Sequence, residues 1–314
     1  MQDSSYPPFE RLVSDAFVRF ESNLRAALPN TAPQVLKLLH GDPPALHPEV
    51  ALDSRSFPHY LLPYWLSPVR ARAVDLEFQS DVLYSTANGS HSIRLCDNIA
   101  DGDGPSTLRK VAPCAAYFSS EFSRPYMKYF PVHHDFWGFF DKFWAQQVES
   151  SSADALLRDV DDQAFLLLCS KKFTATKIPI VAVHLRYEEL ENSPEEWFKF
   201  VDMLGNFVQF NNDFFDWNHD SQYGIITYIS SEARRRAPGE SLARWFLKEG
   251  FDWGASSLRS RFDNVKKEAE FLGNRAVLDW VIARGYALDC DIDEARSDLE
   301  LVKTFGRIIS SAQC

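Results

Sequence analysis

The stretch Val208–Asp220 reads VQFNNDFFDWNHD and combines acidic side chains with a run of large aromatic residues. Asn212, Asp216 and Asp220 follow one another at intervals of four residues. On an α-helix of about 3.6 residues per turn, residues at this interval stack on one face, one turn apart. Carboxylate and amide oxygens at that spacing suit a hard cation such as Mg²⁺. The stretch therefore predicts a helix with a metal-binding face.

The aromatic surroundings of this acidic cluster strengthen that interpretation. Phe210, Phe214 and Trp217 occupy the same turns as Asp213 and its acidic neighbours. Acidic side chains among apolar groups are energetically unfavourable without a cation, whereas a solvated helix end carries no such penalty. We therefore include Asp213 with the other three residues as candidate metal ligands.

A second acidic pair lies more than one hundred residues earlier, in the segment RLCDNIADGDG. Asp97 and Asp101 show the same four-residue interval. The segment does not match an EF-hand loop, because Ile99 takes a ligand position and no Glu stands at the twelfth position. A polar helix end explains this pair equally well when it is taken alone. Together, two acidic helical faces favour a site for several metal ions and a diphosphate, with Asp97 and Asp216 facing each other across a cavity.

Composition restricts the class of protein. The chain has 314 residues with a formal net charge of −11, and it shows no basic stripe, which disfavours a nucleic-acid partner. No apolar stretch approaches the length of a membrane span, and the N-terminus lacks the pattern of a signal peptide. The five cysteines form no CxxC pair, which is typical of reduced thiols. These features predict a cytoplasmic protein without a membrane span, and a homodimer is possible.

Helical periodicity runs through most of the chain, whereas strand signals are scarce. Ser193-Pro194-Glu195-Glu196 is a capping box, and it predicts a helix that runs through Asp216. We predict an all-α, single-domain bundle over residues 1–314 around a deep central cavity. Within it we expect a helix interruption at Asn88-Gly89, an exposed loop over Glu149–Asp154, an interruption near Pro179, and separate helices over Arg275–Arg284 and Ile292–Ile309.

The two acidic segments resemble the aspartate-rich motifs of the isoprenoid synthase superfamily, which includes trans-prenyltransferases and class I terpene synthases. Asp97–Asp101 is similar to the first motif, DDxxD. Val208–Asp216 is similar to FQxxDDxxD of prenyltransferases, while Asn212, Asp216 and Asp220 take the metal positions of the cyclase motif (N/D)DxxSxxxE. Lys171–Ala175 is similar to a Lys-Thr element that precedes the second motif.

The resemblance implies a magnesium-dependent site for a prenyl diphosphate. The roles of the family's residues carry over to individual positions of this sequence. Three Mg²⁺ ions would neutralise the diphosphate, and the aromatic interior would shield the resulting carbocation. The implied catalytic residues are Asp97, Asp101 and Asp216. The implied metal ligands are Asp97, Asp101, Asn212, Asp213, Asp216 and Asp220. The implied diphosphate donors are Arg94, Lys172, Lys177, Arg284 and Tyr286, the last two by similarity to a C-terminal Arg-Tyr pair of some bacterial cyclases.

Departures from the motifs guide the choice of reaction. Asn98 and Asn212 replace Asp, and Phe173 stands where the family's Lys adjoins Thr. No GGKRxRP element, which binds the second substrate of chain-elongating enzymes, precedes the first motif, and Arg55 is the only Lys or Arg within residues 41–66. We therefore expect a class I terpene synthase that ionises and cyclises one prenyl diphosphate. The alternatives are a trans-prenyltransferase and a non-catalytic homologue.

Overall fold

The computed structural model describes residues 7–39, 52–66, 75–100, 108–154, 158–187, 190 and 192–312. Within these ranges every regular element is a helix and none is a strand, so the predicted all-α fold class is confirmed. Among the described helices, none combines the length and apolar character that crossing a membrane requires.

The α-helices are numbered here in chain order. They are α1 (Pro7–Ala27), α2 (Ala32–Leu39), α3 (Leu61–Trp65), α4 (Leu76–Ala100), α5 (Leu108–Val111), α6 (Cys114–Ser123), α7 (Phe136–Asp154), α8 (Asp162–Lys172), α9 (Lys177–Arg186), α10 (Pro194–Phe215), α11 (Trp217–Tyr223), α12 (Tyr228–Arg236), α13 (Leu242–Trp245), α14 (Phe251–Leu272) and α15 (Arg275–Ala312). Short 3₁₀ turns occupy Arg124–Lys128 and Thr174–Thr176, and a π-helical turn occupies Phe246–Gly250.

The expected interruption at Asn88-Gly89 is wrong, because α4 runs through it without a break. Gly89 lies against the ring of Phe122 on α6, and a Cβ at this position would come within 2.9 Å of that ring. The hydroxyl of Ser85 also donates a hydrogen bond to the carbonyl of Phe122, at 2.5 Å. The glycine thus permits close helix packing, and that packing stabilises the helix.

Two further boundary predictions are wrong for a similar reason. Residues 149–154 form the last part of α7 instead of a loop, and the hydroxyls of Ser150 and Ser152 donate to main-chain carbonyls three and four residues earlier. The two predicted C-terminal helices form one helix, α15. Leu288 and Ile292 are buried on one face of α15, so the apolar stripe continues across the expected gap.

Local signals predicted other boundaries correctly. The main-chain N–H of Ser193 donates to the Glu196 carboxylate at 2.8 Å, and the N–H of Glu196 donates back to the Ser193 hydroxyl at 3.4 Å. This capping box begins α10, as expected. The predicted interruption near Pro179 lies slightly earlier, at Phe173–Thr176. Pro179 itself lies in the first turn of α9, where its missing N–H is tolerated.

The chain divides into two compact units, and the single-domain prediction stays a prediction. The first unit comprises Met1–Ala155 and Lys171–Val201, and the second comprises Leu156–Ser170 and Asp202–Cys314. In the first unit α4 packs against α1 and α6. The rings of Phe20 on α1 and Phe118 on α6 stack at 5.5 Å, and His91 on α4 lies 4.8 Å from Phe20. This aromatic core holds α4, which bears the first acidic motif.

In the second unit α14 and α15 pack together after the turn at Gly273, whose φ of 65° lies in the left-handed region that favours glycine. Gly254 on α14 lies against Phe214 on α10, where a Cβ would come within 2.4 Å of the ring. Buried aromatic residues therefore fix the end of α10, which bears the second acidic motif.

Candidate functional site

The second acidic motif spans a bend between α10 and α11. Asp216 lies at the bend, with φ −93° and ψ 6°, and α11 begins at the next residue. The main-chain N–H of Asp216 nevertheless donates to Asn212 O at 2.8 Å, and that of Asp220 donates to Asp216 O at 3.0 Å. These two helix-like hydrogen bonds keep Asn212, Asp216 and Asp220 one turn apart. Asn212 and Asp216 are exposed, while the Asp220 side chain is 16% exposed.

Asp213 differs from these three residues because its carboxylate is engaged within the protein. Its side chain is buried and accepts hydrogen bonds from Gln209 Nε2 at 2.8 Å and from the main-chain N–H of Tyr228 at 3.3 Å. Tyr228 is the first residue of α12. Asp213 therefore connects the motif to the start of α12, and its predicted role as a metal ligand stays a prediction.

The electrostatics around Asp216 favour a nearby cation. Partial desolvation raises the pKa of Asp216 above its ordinary value, and His219 lowers it only in part. His219 Nδ1 also lies 3.7 Å from the carboxylate of Asp220. A cation beside Asp216 would stabilise the ionised form that desolvation disfavours.

The described residues contain no group of three or more His, Cys, Asp or Glu side chains placed to hold a metal ion. Asp213, Asp216 and Asp220 are all described, so these three carboxylates do not form such a group by themselves, and the metal assignment of the second motif stays a prediction. Asp101, from the first motif, lies outside the described residues.

The first acidic motif lies near the C-terminal end of α4. Asp97 is partly exposed and Arg94, one turn earlier, is exposed. Thr86, Ser90 and Ile93 precede Asp97 at intervals of four, three and four residues, so all four residues share one face of the helix. The helix face that bears Asp97 therefore also carries Thr86, Ser90 and Ile93, and the whole of α4 belongs to the first unit.

The Lys-Thr element forms a break between two helices. α8 ends at Lys172, a 3₁₀ turn covers Thr174–Thr176, and α9 begins at Lys177. The Thr174 hydroxyl lies 2.9 Å from the carbonyl of Phe143 and 2.8 Å from that of Lys171. This threonine thus ties the break to α7, which the sequence alone did not indicate.

The two lysines of this element differ in environment. Lys172 is partly exposed, whereas Lys177 is buried with Nζ 5.5 Å from the ring centre of Phe198 and 6.0 Å from that of Phe143. A cation over aromatic faces is stabilised by the ring quadrupoles. Lys177 is therefore held in an aromatic environment, while Lys172 retains access to solvent.

The Lys-Thr break and the Asp97-bearing face of α4 lie next to each other. Ser90 and Ile93 of α4 line a cavity of about 30 Å³ together with Thr176 of the break. The structure thus places the part of α4 that precedes the first motif beside the Lys-Thr break within the first unit, although the two are far apart in sequence.

The structure does not bring Arg284 and Tyr286 together. Arg284 is buried, and its Nη2 donates to Asn211 Oδ1 at 3.2 Å while Nη1 lies 3.6 Å from the Asp291 carboxylate. Tyr286 is 73% exposed. Residues two apart on a helix point in opposite directions, so the two side chains do not act as a pair. Arg284 instead holds the residue adjacent to Asn212.

Sequence reasoning missed an arginine enclosed by aromatic rings in the second unit. The guanidinium carbon of Arg261 lies 4.8 Å from the ring centre of Phe165, 4.7 Å from that of Phe210 and 5.6 Å from that of Tyr228. Its Nη1 donates to Asn206 Oδ1, and its Nη2 lies 3.3 Å from the Asp162 carboxylate. No local sequence signal marks this cluster, because its members come from four different helices.

Comparison with solved structures reveals the fold class. The chain is similar to a geranylgeranyl pyrophosphate synthetase from the archaeon Geoglobus acetivorans, with a TM-score of 0.64 and 13% identity over 90% of this chain and 98% of the other. It is also similar to a polyprenyl synthase from Caulobacter crescentus CB15 complexed with calcium and isoprenyl diphosphate. The TM-score is 0.62, and the identity is 12% over 88% of this chain and 96% of the other. No protein-family model and no curated protein matches by sequence. The chain has the isoprenoid synthase fold.

Proposed function

We propose that this chain is a metal-dependent enzyme that ionises a prenyl diphosphate, and that it acts as a trans-prenyltransferase. The observation that carries the proposal is the one-turn spacing of Asn212, Asp216 and Asp220, kept across the bend after α10. The two solved structures named above are prenyl synthases by name, and this supports transfer over the cyclisation expected from the sequence. Fold similarity alone does not fix chemistry, so the acidic side chains carry the argument.

The donor set fits Mg²⁺, which prefers carboxylate and amide oxygens. Desolvation at Asp216 and the exposed amide of Asn212 support this fit. Asp97 and Asp101 would hold ions at the first motif, and Asn212, Asp216 and Asp220 would hold an ion at the second, with three ions in total. When bound, the ions would neutralise the negative charge that develops on the leaving diphosphate.

The chain's own basic residues would orient the diphosphate. Lys177 is held between two aromatic rings, where a low dielectric strengthens its attraction for a polyanion. Arg94 and Lys172 retain solvent access and would donate charge-assisted hydrogen bonds. We assign Arg284 the different role of positioning Asn211, beside the metal ligand Asn212, because its guanidinium already contacts Asn211 and Asp291.

Class I terpene cyclisation is the second candidate. It is favoured by the low content of basic residues before the first motif, where Arg55 is the only Lys or Arg within residues 41–66. Chain elongation must bind a second diphosphate, which normally meets several charge-assisted donors. A non-catalytic homologue is the third alternative. The cytoplasmic location and the homodimer stay predictions.

The purified chain incubated with ten-, fifteen- and twenty-carbon prenyl diphosphates and Mg²⁺ distinguishes these functions. Reactions run with and without isopentenyl diphosphate, and both released pyrophosphate and organic products are measured. A prenyltransferase gives products longer by five carbons only when isopentenyl diphosphate is present. A cyclase releases pyrophosphate and hydrocarbons from one substrate. Absence of pyrophosphate release with every substrate, in a folded sample, would overturn both enzymatic proposals.

A further inference from the structure

A polar cavity of about 500 Å³ lies beside the N-terminal part of α4 in the first unit. Six of its seven lining residues have charged or polar side chains. Pockets of this volume that bind apolar molecules are lined mostly by apolar side chains, so this lining favours a charged ligand. The lining residues are Arg19 from α1, Glu77, Ser80 and Asp81 from α4, and Arg124, Pro125 and Lys128 from the 3₁₀ turn after α6.

This cavity is remote from the site assigned to the prenyl diphosphate. Asp81 precedes Asp97 by sixteen residues on the same helix, which corresponds to about 24 Å along the helix axis. A ligand of the size of phosphate or diphosphate in the cavity is too short to contact Asp97. The cavity is therefore a separate candidate site, whichever reaction the acidic motifs support.

Two cations in the cavity converge on one buried carboxylate. Arg19 Nη1 donates to Asp81 Oδ1 at 2.6 Å, and Lys128 Nζ donates to Asp81 Oδ2 at 3.3 Å. The guanidinium of Arg19 also lies 4.1 Å from the ring centre of Tyr84, which fixes its plane. The Arg19 and Lys128 side chains are 40% and 47% exposed, so both cations are held in place and still accessible from the cavity.

Arg124 supplies a third cation, which a second buried carboxylate holds in place. Its Nε lies 3.0 Å from Glu121 Oε1, and Oε2 of the same carboxylate accepts a hydrogen bond from the Tyr84 hydroxyl at 2.6 Å. The Arg124 side chain is 68% exposed. Because its contact with Glu121 uses Nε, the fork of Nη1 and Nη2 is left as a pair of donors for a ligand.

The arrangement of charges selects the kind of ligand. A metal cation is disfavoured, because Asp81 and Glu77 already accept hydrogen bonds from basic side chains. A planar carboxylate matches one guanidinium fork, whereas the oxygens of a phosphate group point in several directions and suit donors from separate elements. We propose that this cavity binds a small phosphate-bearing anion through Arg19, Arg124 and Lys128.

Glu77 competes with such a ligand. Its carboxylate pairs with Lys128, and its side chain is 74% exposed, so this ion pair is weak and easily opened. Phosphate oxygens would replace Glu77 on the Lys128 ammonium, while the buried carboxylates of Asp81 and Glu121 would stay in place behind the cations. The affinity for the anion therefore depends on displacing one exposed carboxylate.

Isothermal titration calorimetry of the full chain with inorganic phosphate and with inorganic pyrophosphate tests the site, in metal-free buffer of low ionic strength. We expect both anions to bind, and pyrophosphate to bind more tightly because it offers more oxygens to the three cations. Arg124→Gln and Lys128→Met should each raise the dissociation constant of pyrophosphate by about fivefold or more. Glu77→Gln should lower it by about threefold, because the competing carboxylate is gone, and misfolding does not produce such a gain.

Arg11→Gln is the matched control, because it removes the same charge from an 85% exposed side chain of α1, outside the cavity lining, and it should leave the dissociation constant unchanged. Wild-type affinity in both Arg124→Gln and Lys128→Met, with helix content intact by circular dichroism, would overturn the proposal. Failure of the wild type to bind either anion at millimolar concentration would do the same. Binding that is lost in Arg94→Gln and kept in Arg124→Gln would place the anion near the first acidic motif and would also refute this site.

Discussion

The buried carboxylate of Asp213 accepts a hydrogen bond from the main-chain N–H of Tyr228, at 3.3 Å, and joins the second acidic motif to the start of α12. We predict that Asp213→Ala lowers the free energy of unfolding by about 1–3 kcal/mol, because it leaves the buried Tyr228 N–H without this acceptor. Urea unfolding followed by circular dichroism, in metal-free buffer, measures the change.

Asp216→Ala is the matched control for this change. Asp216 is exposed and its pKa is raised by desolvation, so its carboxylate does not stabilise the metal-free fold. We expect its free energy of unfolding to stay within about 0.5 kcal/mol of wild type. A larger loss in Asp216→Ala than in Asp213→Ala would contradict the distinction between a structural and an exposed carboxylate.

Replacing the carboxylates proposed as metal ligands should abolish catalytic activity without unfolding the protein. Asp97→Ala and Asp220→Ala should each abolish pyrophosphate release from a prenyl diphosphate while leaving the helix content intact, because carboxylates are acceptor-only ligands for Mg²⁺. Mg²⁺ should also raise the melting temperature of the wild type more than that of Asp220→Ala. Full turnover in either variant, or full wild-type activity in chelator, would remove the metal assignment.

The helical elements were predictable where the signal is local. The capping box at Ser193 and the apolar spacing of α10 depend only on neighbours a few residues away, and the structure has both. The placement of Asn212, Asp216 and Asp220 one turn apart was also predictable from the sequence, since the geometry of a single helical turn determines it.

Features set by tertiary packing were not predictable in the same way. Gly89 looked like a helix breaker, yet it serves close contact with Phe122, thirty-three positions later in the chain. The contrast between Asp213 and Asp216 depends on Tyr228, which the spacing of the motif does not reveal. The cavity beside the Lys-Thr break required residues from four separate segments to meet. Long-range contacts of this kind leave no periodic mark in a single sequence.

Arg261 should not tolerate replacement by lysine. Its side chain is 14% exposed and lies among three aromatic rings, with contacts to Asn206 and Asp162. Lysine keeps the charge and loses both the planar stacking and the paired donors, so Arg261→Lys should lower the free energy of unfolding by about 2 kcal/mol. Urea unfolding provides the measurement.

Arg236→Lys provides the comparison for Arg261→Lys. Arg236 also lies over a ring, 4.7 Å from the centre of Trp253, and pairs with Glu232 at 2.7 Å, although its side chain is 47% exposed. Solvent screening should limit its effect to about 0.5 kcal/mol. Equal losses in the two variants would show that enclosure by the rings contributes nothing to Arg261.

Asp81 should make stability depend on pH in the acidic range. Its carboxylate is 10% exposed and accepts hydrogen bonds from Arg19 at 2.6 Å and from the Tyr129 hydroxyl at 2.7 Å. Desolvation alone would raise the pKa of Asp81, but these donors outweigh it and hold the pKa below its ordinary value. The ionised form therefore stabilises the fold at any pH above the unfolded value of about 3.9, and this contribution disappears as pH falls through the lower folded value.

Asp81→Asn should accordingly lower the free energy of unfolding by about 2 kcal/mol at pH 7, since it weakens charge-assisted hydrogen bonds in a largely buried position. The difference from wild type should stay constant down to about pH 5 and shrink below about pH 4, because only the wild type loses a stabilising charge there. Asp15→Asn is the control: Asp15 is 64% exposed and lies 3.9 Å from Arg11, so solvent screening should keep its effect within about 0.5 kcal/mol at every pH. Urea unfolding of the three proteins between pH 7 and pH 3 decides the matter, and a gap between wild type and Asp81→Asn that widened on acidification would contradict the sign of the shift.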